Sequence, residues 1–381
     1  MTQTLSRSGA RKRVILHIGH GKTGSSAIQS FLAINADALA RAGITYPAHP
    51  SFETARRGAV TSGNVDLNPG WFETRVLAEA DNAPAGATLL FSNESMFWYV
   101  PGLLDRMAAL HSEIEFRIIL FVRDPLDIMT SAYLQGIKFD GLAEDIATYA
   151  DREKHTTHAA TVIRGCRDRG VDIAVLNYSH CRDTLIPAFL AQLLPAGTDT
   201  GGFTFDTAKA VVNRSLTDAE ARLMRRINAA SRGKSWRALA EKLINRCRRP
   251  PGPAFVVPRA VATRYLERIA PAVDYINTVL PSGAALRLTP PPAESAADPG
   301  SYVFVQQQID AIADHLAGVQ GAVLVDADAD LLRTVALKYE SGAVLTRAEG
   351  IGLMELALRA RPNGPMISRT LDRWKKKKPK G

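Results

Sequence analysis

Cysteine is scarce: Cys166, Cys181 and Cys247 are the three in 381 residues, far apart and without a CxxC pair. The eight histidines do not cluster either. Together these absences exclude a disulfide framework and the common zinc-ligand spacings, and the thiols read as reduced side chains packed as small hydrophobes. No apolar run approaches the roughly 18 residues that a membrane span requires. The opening segment MTQTLSRSGARKR is polar and basic and lacks the apolar stretch of a secretory signal. The VILHI that follows is too short and runs into glycines, so the expected location is the cytoplasm. No internal repeat is visible.

What the chain holds is ordinary globular material, 46% hydrophobic and 22% charged, in a length that suits one large domain with an appendage or two domains. Forty-seven Lys and Arg against 38 Asp and Glu leave a net charge of +9. That balance suits anionic ligands such as nucleotide phosphates, acidic glycans, nucleic acid or a membrane surface, without choosing among them. Residues 13–18 (RVILHI) form a short, fully apolar strand pattern. Glycines and small residues follow, then a helical pattern with Ile28, Phe31, Leu32 and Leu39 on one face, closed by Gly43. ITYP ends a second strand at Pro47, and 48–86 reads as an elaborated loop with a helix near 71–80. Strand-like runs recur at 87–92, 116–122 and 171–176 with helical stretches between, which predicts a mostly parallel sheet covered on both faces. Thr217 with Glu220, and Thr346 with Glu349, are spaced as capping boxes. Proline-rich 248–258 and 289–300 mark boundaries, and a mainly helical tail ends in WKKKKPKG.

The strongest local signal is a strand, then GHGKTGSS (Gly19 to Ser26), then a helix. Successive backbone N–H groups at a glycine-rich turn and a helix N-terminus cradle anionic oxygen. Lys22 adds a mobile positive charge, and Thr23, Ser25 and Ser26 add hydroxyls. A Walker A loop fails on spacing, because it requires glycine where this chain has Leu16. Downstream, FVRDPLDIMTSAY sets Arg123 at a strand end and Ser131 eight residues on, in the next helix, where Ser131 can point back toward the guanidinium. Asp124-Pro125 starts that helix well. Open α/β sheets bind ligands at this edge.

HIGHGKTGSSAIQSFL resembles the 5′-phosphosulfate loop of the sulfotransferases that use 3′-phosphoadenosine 5′-phosphosulfate (PAPS), and FVRDPLDIMTSAY resembles their 3′-phosphate site. AGITYP, the SGN of 62–64, FSNES and NRSLTDAE are smaller matches in the right order, so the resemblance covers about 13–290. It implies a three-layer α/β/α fold similar to P-loop NTPases, specifically P-loop kinases in strand order, over 13–290. A flexible basic segment over 1–12 precedes it, and a helical C-terminal extension with a polybasic tail, 301–381, follows. By the same resemblance Gly21, Lys22, Thr23, Gly24, Ser25 and Ser26 hold the 5′-phosphate and Arg123 and Ser131 the 3′-phosphate. Arg214 in NRSLT either reaches the 3′-phosphate end or has a solvated or capping role. Lys22 stabilises the departing phosphate, PAP (3′-phosphoadenosine 5′-phosphate) is the product, and no metal is implied.

The acceptor hydroxyl needs a general base, and in resembling enzymes this is a His or Glu just after a central strand. Glu94, directly after TLLFSN, occupies such a place, with His20 in the loop and His17 in the strand as rivals. Analogy with bacterial carbohydrate-type members points to a glycan acceptor on a polysaccharide or glycolipid, and no nucleic acid partner. From 222 to 249 there are ten Lys/Arg and one acid, Glu241, which is either a solvated face or an electropositive wall for an anionic acceptor. Ile367, Leu371 and Trp374 at helical spacing before four lysines are either a solubilising tail or a peripheral membrane contact. Two other functions stay open: a nucleotide kinase with a degenerate P-loop, and a non-catalytic binder of nucleotide or acidic glycan.

Overall fold

A computed structural model describes residues 11–19, 21–57, 61, 63–205, 214–231, 236–247, 252–291, 304–320, 326–337, 340 and 346–376. Five strands, β1 (Lys12–His17), β2 (Ile44–Thr45), β3 (Thr88–Ser92), β4 (Ile114–Val122) and β5 (Asp172–Asn177), form one sheet in the order β2-β3-β1-β4-β5. All four pairings are parallel, so the sheet is wholly rather than mostly parallel. Val14, Ile15, Leu16, Leu90, Phe91 and Ile118 to Phe121 are 0% exposed, as strands covered on both faces must be. The apolar runs that marked these strands carry β-branched and aromatic side chains with no alternation, and that pattern fits a doubly covered sheet.

Helix α1 (Ser25–Ile34) follows β1, and α2 (Pro125–Phe139) follows β4. Helix α3 (His155–Asp168) leads into β5 and α4 (Leu185–Leu193) follows it. On one face Ile15, Leu90, Ile119 and Phe121 of the strands pack with Ile28, Phe31 and Leu32 of α1 and Leu185, Phe189 and Leu190 of α4. The helical pattern expected to run unbroken to Gly43 is instead interrupted at Asn35. Its buried amide donates to the Phe31 and Thr204 carbonyls, both at 2.9 Å, and accepts from the Thr204 N–H at 2.6 Å. A side chain that satisfies the backbone locally competes with helix propagation. Farther on, the expected helix near 71–80 appears as a π-helical turn, Phe72–Leu77, running into Ala78–Asn82.

The C-terminal end of β3 is held by Asn64. Its side chain accepts from the Ser92 N–H at 2.8 Å and donates to the Leu90 carbonyl at 3.1 Å, while its own N–H donates to the Ser92 carbonyl at 3.1 Å. Asn93 returns the bond, donating to the Val65 carbonyl at 2.7 Å. The loop thus acts as a short surrogate strand that fixes where the chain after β3 points. Gly63, at φ 96, permits this approach, because a Cβ there would overlap the Ser92 carbonyl.

Helices α5 (Asp218–Ala230), α6 (Arg237–Arg246) and α7 (Arg259–Asn277) follow, then α8 (Gln306–Gln320), α9 (Asp326–Leu337), α10 (Arg347–Ala360) and α11 (Pro365–Lys376). Both capping boxes form, Thr217 with Glu220 and Thr346 with Glu349. The chain divides into two units, Met1–Trp236 with Arg248–Val303, and Arg237–Cys247 with Phe304–Gly381. Helix α6 therefore groups with the C-terminal helices, whereas the reading of 13–290 as one domain had kept it with the sheet. In that second unit Ile367, Leu371 and Trp374 are buried against Ala329, Ala336, Met354 and Ala357. The Trp374 indole N–H donates to Glu340 at 2.7 Å. The apolar stripe considered for membrane contact is thus the inner face of a helical core, and residues 377–381 lie outside the described residues.

Gly63→Ala must both abandon a left-handed backbone and displace the Ser92 carbonyl. It is expected to cost on the order of 3 kcal/mol of unfolding free energy in urea titration, with an unchanged m-value. A loss below about 0.5 kcal/mol would show that the loop does not brace β3.

Candidate active site

Because β1 lies between β3 and β4 and all run parallel, the segments after these three strands emerge side by side at one sheet edge. The chain leaves β1 toward β2 and leaves β4 toward β5, so the crevice between β1 and β4 is a topological switch point. Those three segments carry Lys22, Glu94 and Arg123.

Helix α1 begins with Gly24 as its N-cap, makes no side-chain cap bond and has no acid in its first turn. The Ala27 and Ile28 N–H groups already bond the Gly24 carbonyl, at 3.0 and 3.1 Å. The positive end of the helix therefore faces the loop with no built-in anion. Thr23 and Ser25 are buried and Ser26 is half-buried. A Cβ on Gly19 would sit 2.8 Å from Thr23 Oγ1, 3.3 Å from His17 Nε2 and 3.4 Å from Ser25 Oγ. Three polar groups thus converge beneath the loop, and His17 Nε2 is buried without a hydrogen-bond partner. The other ring nitrogen, His17 Nδ1, lies 2.8 Å from Ser92 Oγ, and burial alone lowers the His17 pKa to about 3. His17 is a neutral core imidazole, packed edge-on against Phe121 and Phe189 at 5.8 and 5.2 Å. Its rival His20 lies outside the described residues.

Lys22 is the one non-glycine residue at positive φ among those described, at 73°. Such a backbone costs about 1–3 kcal/mol and persists where the surroundings over-determine it. Here the Lys22 carbonyl accepts from Arg123 Nη1 at 3.0 Å, tying the loop after β1 to the end of β4. Burial pulls the Lys22 ammonium below its ordinary pKa; Glu94 opposes this and Arg123 adds to it. The Glu94 carboxyl is pushed upward by burial, against opposing effects of Lys22 and Ser25. Ser25 Oγ thus lies close enough to favour the carboxylate without a hydrogen bond of good geometry. A Cβ on Gly21 would lie 3.9 Å from Glu94 Oε2, so the carboxylate stands against the glycine next to Lys22. An ammonium and a carboxylate are thereby held together in a partly dry crevice, where a proton acceptor and a fixed cation can act on one reacting centre.

Arg123 is supported from three directions. Its guanidinium lies 5.5 Å from the Tyr178 ring centroid, Nη2 is 3.6 Å from Asp127, and Asp124 is fixed by Ser179 Oγ accepting its N–H at 3.0 Å. Ser131 is half-buried two turns into α2, as the spacing required. Arg214 is different: its guanidinium makes a fork to both oxygens of Glu220, at 2.7 and 2.8 Å, with side chains 4% and 0% exposed. Glu220 also accepts the Thr217 N–H at 2.9 Å. Arg214 is therefore tied to the start of α5, which matches the capping alternative rather than a solvated one.

The basic 222–249 stretch is divided between the two units. Arg222 pairs with Asp218 at 2.8 Å and Arg237 with Glu241 at 2.7 Å, and Arg246 pairs with Asp314. Arg232, Lys234, Arg248 and Arg249 lie outside the described residues. A cavity of about 390 Å³ beside α4, lined by Leu190, Leu194, Phe205 and neighbours, has no charged or titratable side chain and lacks the groups for chemistry. Sequence reading missed Asn64, Tyr178 and Ser179. The first sat in a matched segment without a role, and the other two become supports because β5 lies beside β4.

No family model matches the chain, and no curated protein matches it. The family resemblance therefore stands on its motif residues.

Two outcomes follow from this geometry. Glu94 should titrate above an ordinary carboxyl, and higher still in Lys22→Met, because the ammonium that holds it down is gone; carboxyl-carbon NMR measures both. An unchanged Glu94 titration in Lys22→Met would refute the coupling. Arg214→Ala strands the buried Glu220 carboxylate and should cost about 3–5 kcal/mol in denaturant unfolding. A neutral result there would return Arg214 to the list of ligand-binding candidates.

Proposed function

We propose that the protein transfers a sulfuryl group from PAPS to a hydroxyl acceptor, on a sheet that is P-loop-like, and that the acceptor is a carbohydrate. The observation that carries this reading is the convergence of Lys22, Glu94 and Arg123 at the uncapped start of α1. The residues present fit the donor. A short glycine-rich loop with buried hydroxyls and an unpartnered imidazole nitrogen suits a 5′-phosphosulfate, and Arg123 with Ser131 suits a second phosphate one ribose away. The strand order β2-β3-β1-β4-β5, with β1 at the centre, agrees with the kinase-like arrangement that the resemblance implies.

In this reading the acceptor oxygen forms a bond to sulfur as the bond from sulfur to the phosphate oxygen breaks. The acceptor proton passes to Glu94, and the electron pair stays on the departing phosphate oxygen, where Lys22 offsets the charge. The raised pKa makes Glu94 a stronger base than an exposed carboxylate. Activity requires Glu94 deprotonated and Lys22 protonated. The acid limb of the rate profile therefore lies above the usual carboxyl range, and the alkaline limb lies below that of an ordinary lysine. No described helix is long and apolar enough to cross a membrane. We take the site of action as the cytoplasm.

Calorimetry is expected to show PAP binding without Mg²⁺, about ten- to 150-fold tighter than AMP, since one charge-assisted phosphate contact is worth about 1.5–3 kcal/mol. Equal affinity for the two nucleotides would sink the assignment. With PAPS and an acceptor, Lys22→Ala should lower turnover about a hundredfold or more. Glu94→Gln should slow transfer while leaving PAP affinity within about twofold. Wild-type turnover in Glu94→Gln would move the base elsewhere, to His20 first.

A further inference from the structure

The chain after Glu94 turns directly into the short helix Met96–Tyr99, and its last two side chains are left in the open, Trp98 at 45% and Tyr99 at 51% exposure. An adjacent pair of exposed aromatics one turn beyond a candidate base calls for a reason, since soluble proteins cover such surface where they can. Nor is Trp98 loose. Its ring lies 5.1 Å from that of His155 and 4.6 Å from that of His158. Phe97 lies 4.7 Å from His158, whose Nε2 is 2.9 Å from the Phe97 carbonyl oxygen.

That backing is itself anchored. The buried Glu153 carboxylate lies 2.5 Å from His155 Nδ1 and accepts the His155 N–H at 2.6 Å and the Tyr265 hydroxyl at 2.7 Å. Burial alone would push the Glu153 pKa up, but the bonds from His155 and Tyr265 more than offset this and hold it down. Tyr265 reaches the Pro125 carbonyl at 3.5 Å, two residues from Arg123. The indole is thus fixed to the same sheet edge as Glu94 and Arg123.

We propose that Trp98, backed by His155 and His158 and flanked by Tyr99, is the acceptor platform of this site, and that it stacks an uncharged pyranose ring. The inference rests on the sulfuryl-transfer reading and narrows its acceptor. An indole face offers a flat, polarisable surface to the C–H face of a sugar, whose hydroxyls keep their water at an open edge. A phenolic acceptor instead needs an enclosed apolar slot, which two half-exposed rings do not provide. A uronate or sulfated glycan needs cations at the platform. Of the rings that touch Trp98, Phe97 carries no charge, burial lowers the His158 pKa, and His155 is already held by the Glu153 carboxylate. The fixed charge nearest along the chain is the Glu94 carboxylate, which repels an anion.

Binding is tested by calorimetry and saturation-transfer NMR on the full chain, with and without PAP. The probes are neutral glucose, galactose and mannose oligosaccharides, a heparin-derived oligosaccharide and p-nitrophenol. The expected result is neutral-sugar binding that weakens tenfold or more in Trp98→Ala, survives in Trp98→Phe, and leaves PAP affinity within twofold in both. That pattern separates a ring platform from a structural role, because a misfolded variant loses PAP as well. Neutral-sugar binding that is absent from wild type or indifferent to Trp98 overturns the platform. So does preference for the heparin fragment or the phenol. Failure of wild type to bind PAP overturns the donor assignment instead, and the sugar arm without PAP still decides the platform.

Discussion

Parallel pairing of β1 with β3 on one side and β4 on the other is the constraint from which the site follows. Parallel strands must be joined by crossovers, so every chain segment that leaves the C-terminal edge does so beside its neighbours. Three such segments carry an ammonium, a carboxylate and a guanidinium. None of these needs a long side-chain reach to meet the others, because the sheet spacing of about 4.8 Å between strands does most of the approach. The Asn64 brace on β3 and the Arg123 bond to the Lys22 carbonyl then remove the remaining freedom at either side.

Desolvation acts on Lys22 and Glu94 in opposite directions and drives each toward its neutral form, while their mutual attraction opposes both shifts. Such a pair is easily unbalanced by a third charge. Arg123 already shifts Lys22, and a bound polyanion would raise the lysine's pKa again and draw its ammonium away from Glu94. On the sulfuryl-transfer reading proposed above, that would free the carboxylate to accept a proton once the donor is in place. The left-handed backbone at Lys22 belongs to the same logic, since its cost is sustained by the bond from Arg123 to the Lys22 carbonyl.

Much of this was legible in the residues. Unbroken apolar runs placed the strands to within two residues, and the glycine-rich turn placed Lys22. The resemblance, which puts a base just after a central strand, brought Glu94 forward beside His17 and His20. What escaped is what depends on neighbours distant in sequence. Asn35 looks like any polar position on a helix until Thr204 arrives to take both ends of its amide. Tyr178 and Ser179 have no local signature and become supports only through the β4–β5 pairing. Helix α6 carries the same basic character as the end of α5 yet groups with other helices: it packs against α8, and its apolar residues Leu239, Leu243 and Ile244 are buried. The stripe of Ile367, Leu371 and Trp374 reads equally well as membrane-seeking or core-seeking, since periodicity records that a face is apolar and not what covers it.

Arg123 and Arg214 show why residue type and neighbourhood in sequence do not decide which cation meets a ligand. Both follow motifs of the same resemblance, and both are largely buried. Arg214 spends its planar fork on a carboxylate that is itself 0% exposed and is held by a backbone N–H as well. To release that guanidinium a phosphate would have to leave Glu220 charged and unpaired in the interior, which costs more than one new contact returns. Arg123 has a 3.6 Å approach to an Asp127 that is 57% exposed, and its Nε makes no hydrogen bond. Water can take over Asp127 with little loss. The availability of a cation is therefore set by the solvation of its current partner, and by that criterion Arg123 can turn toward an anion more readily than Arg214.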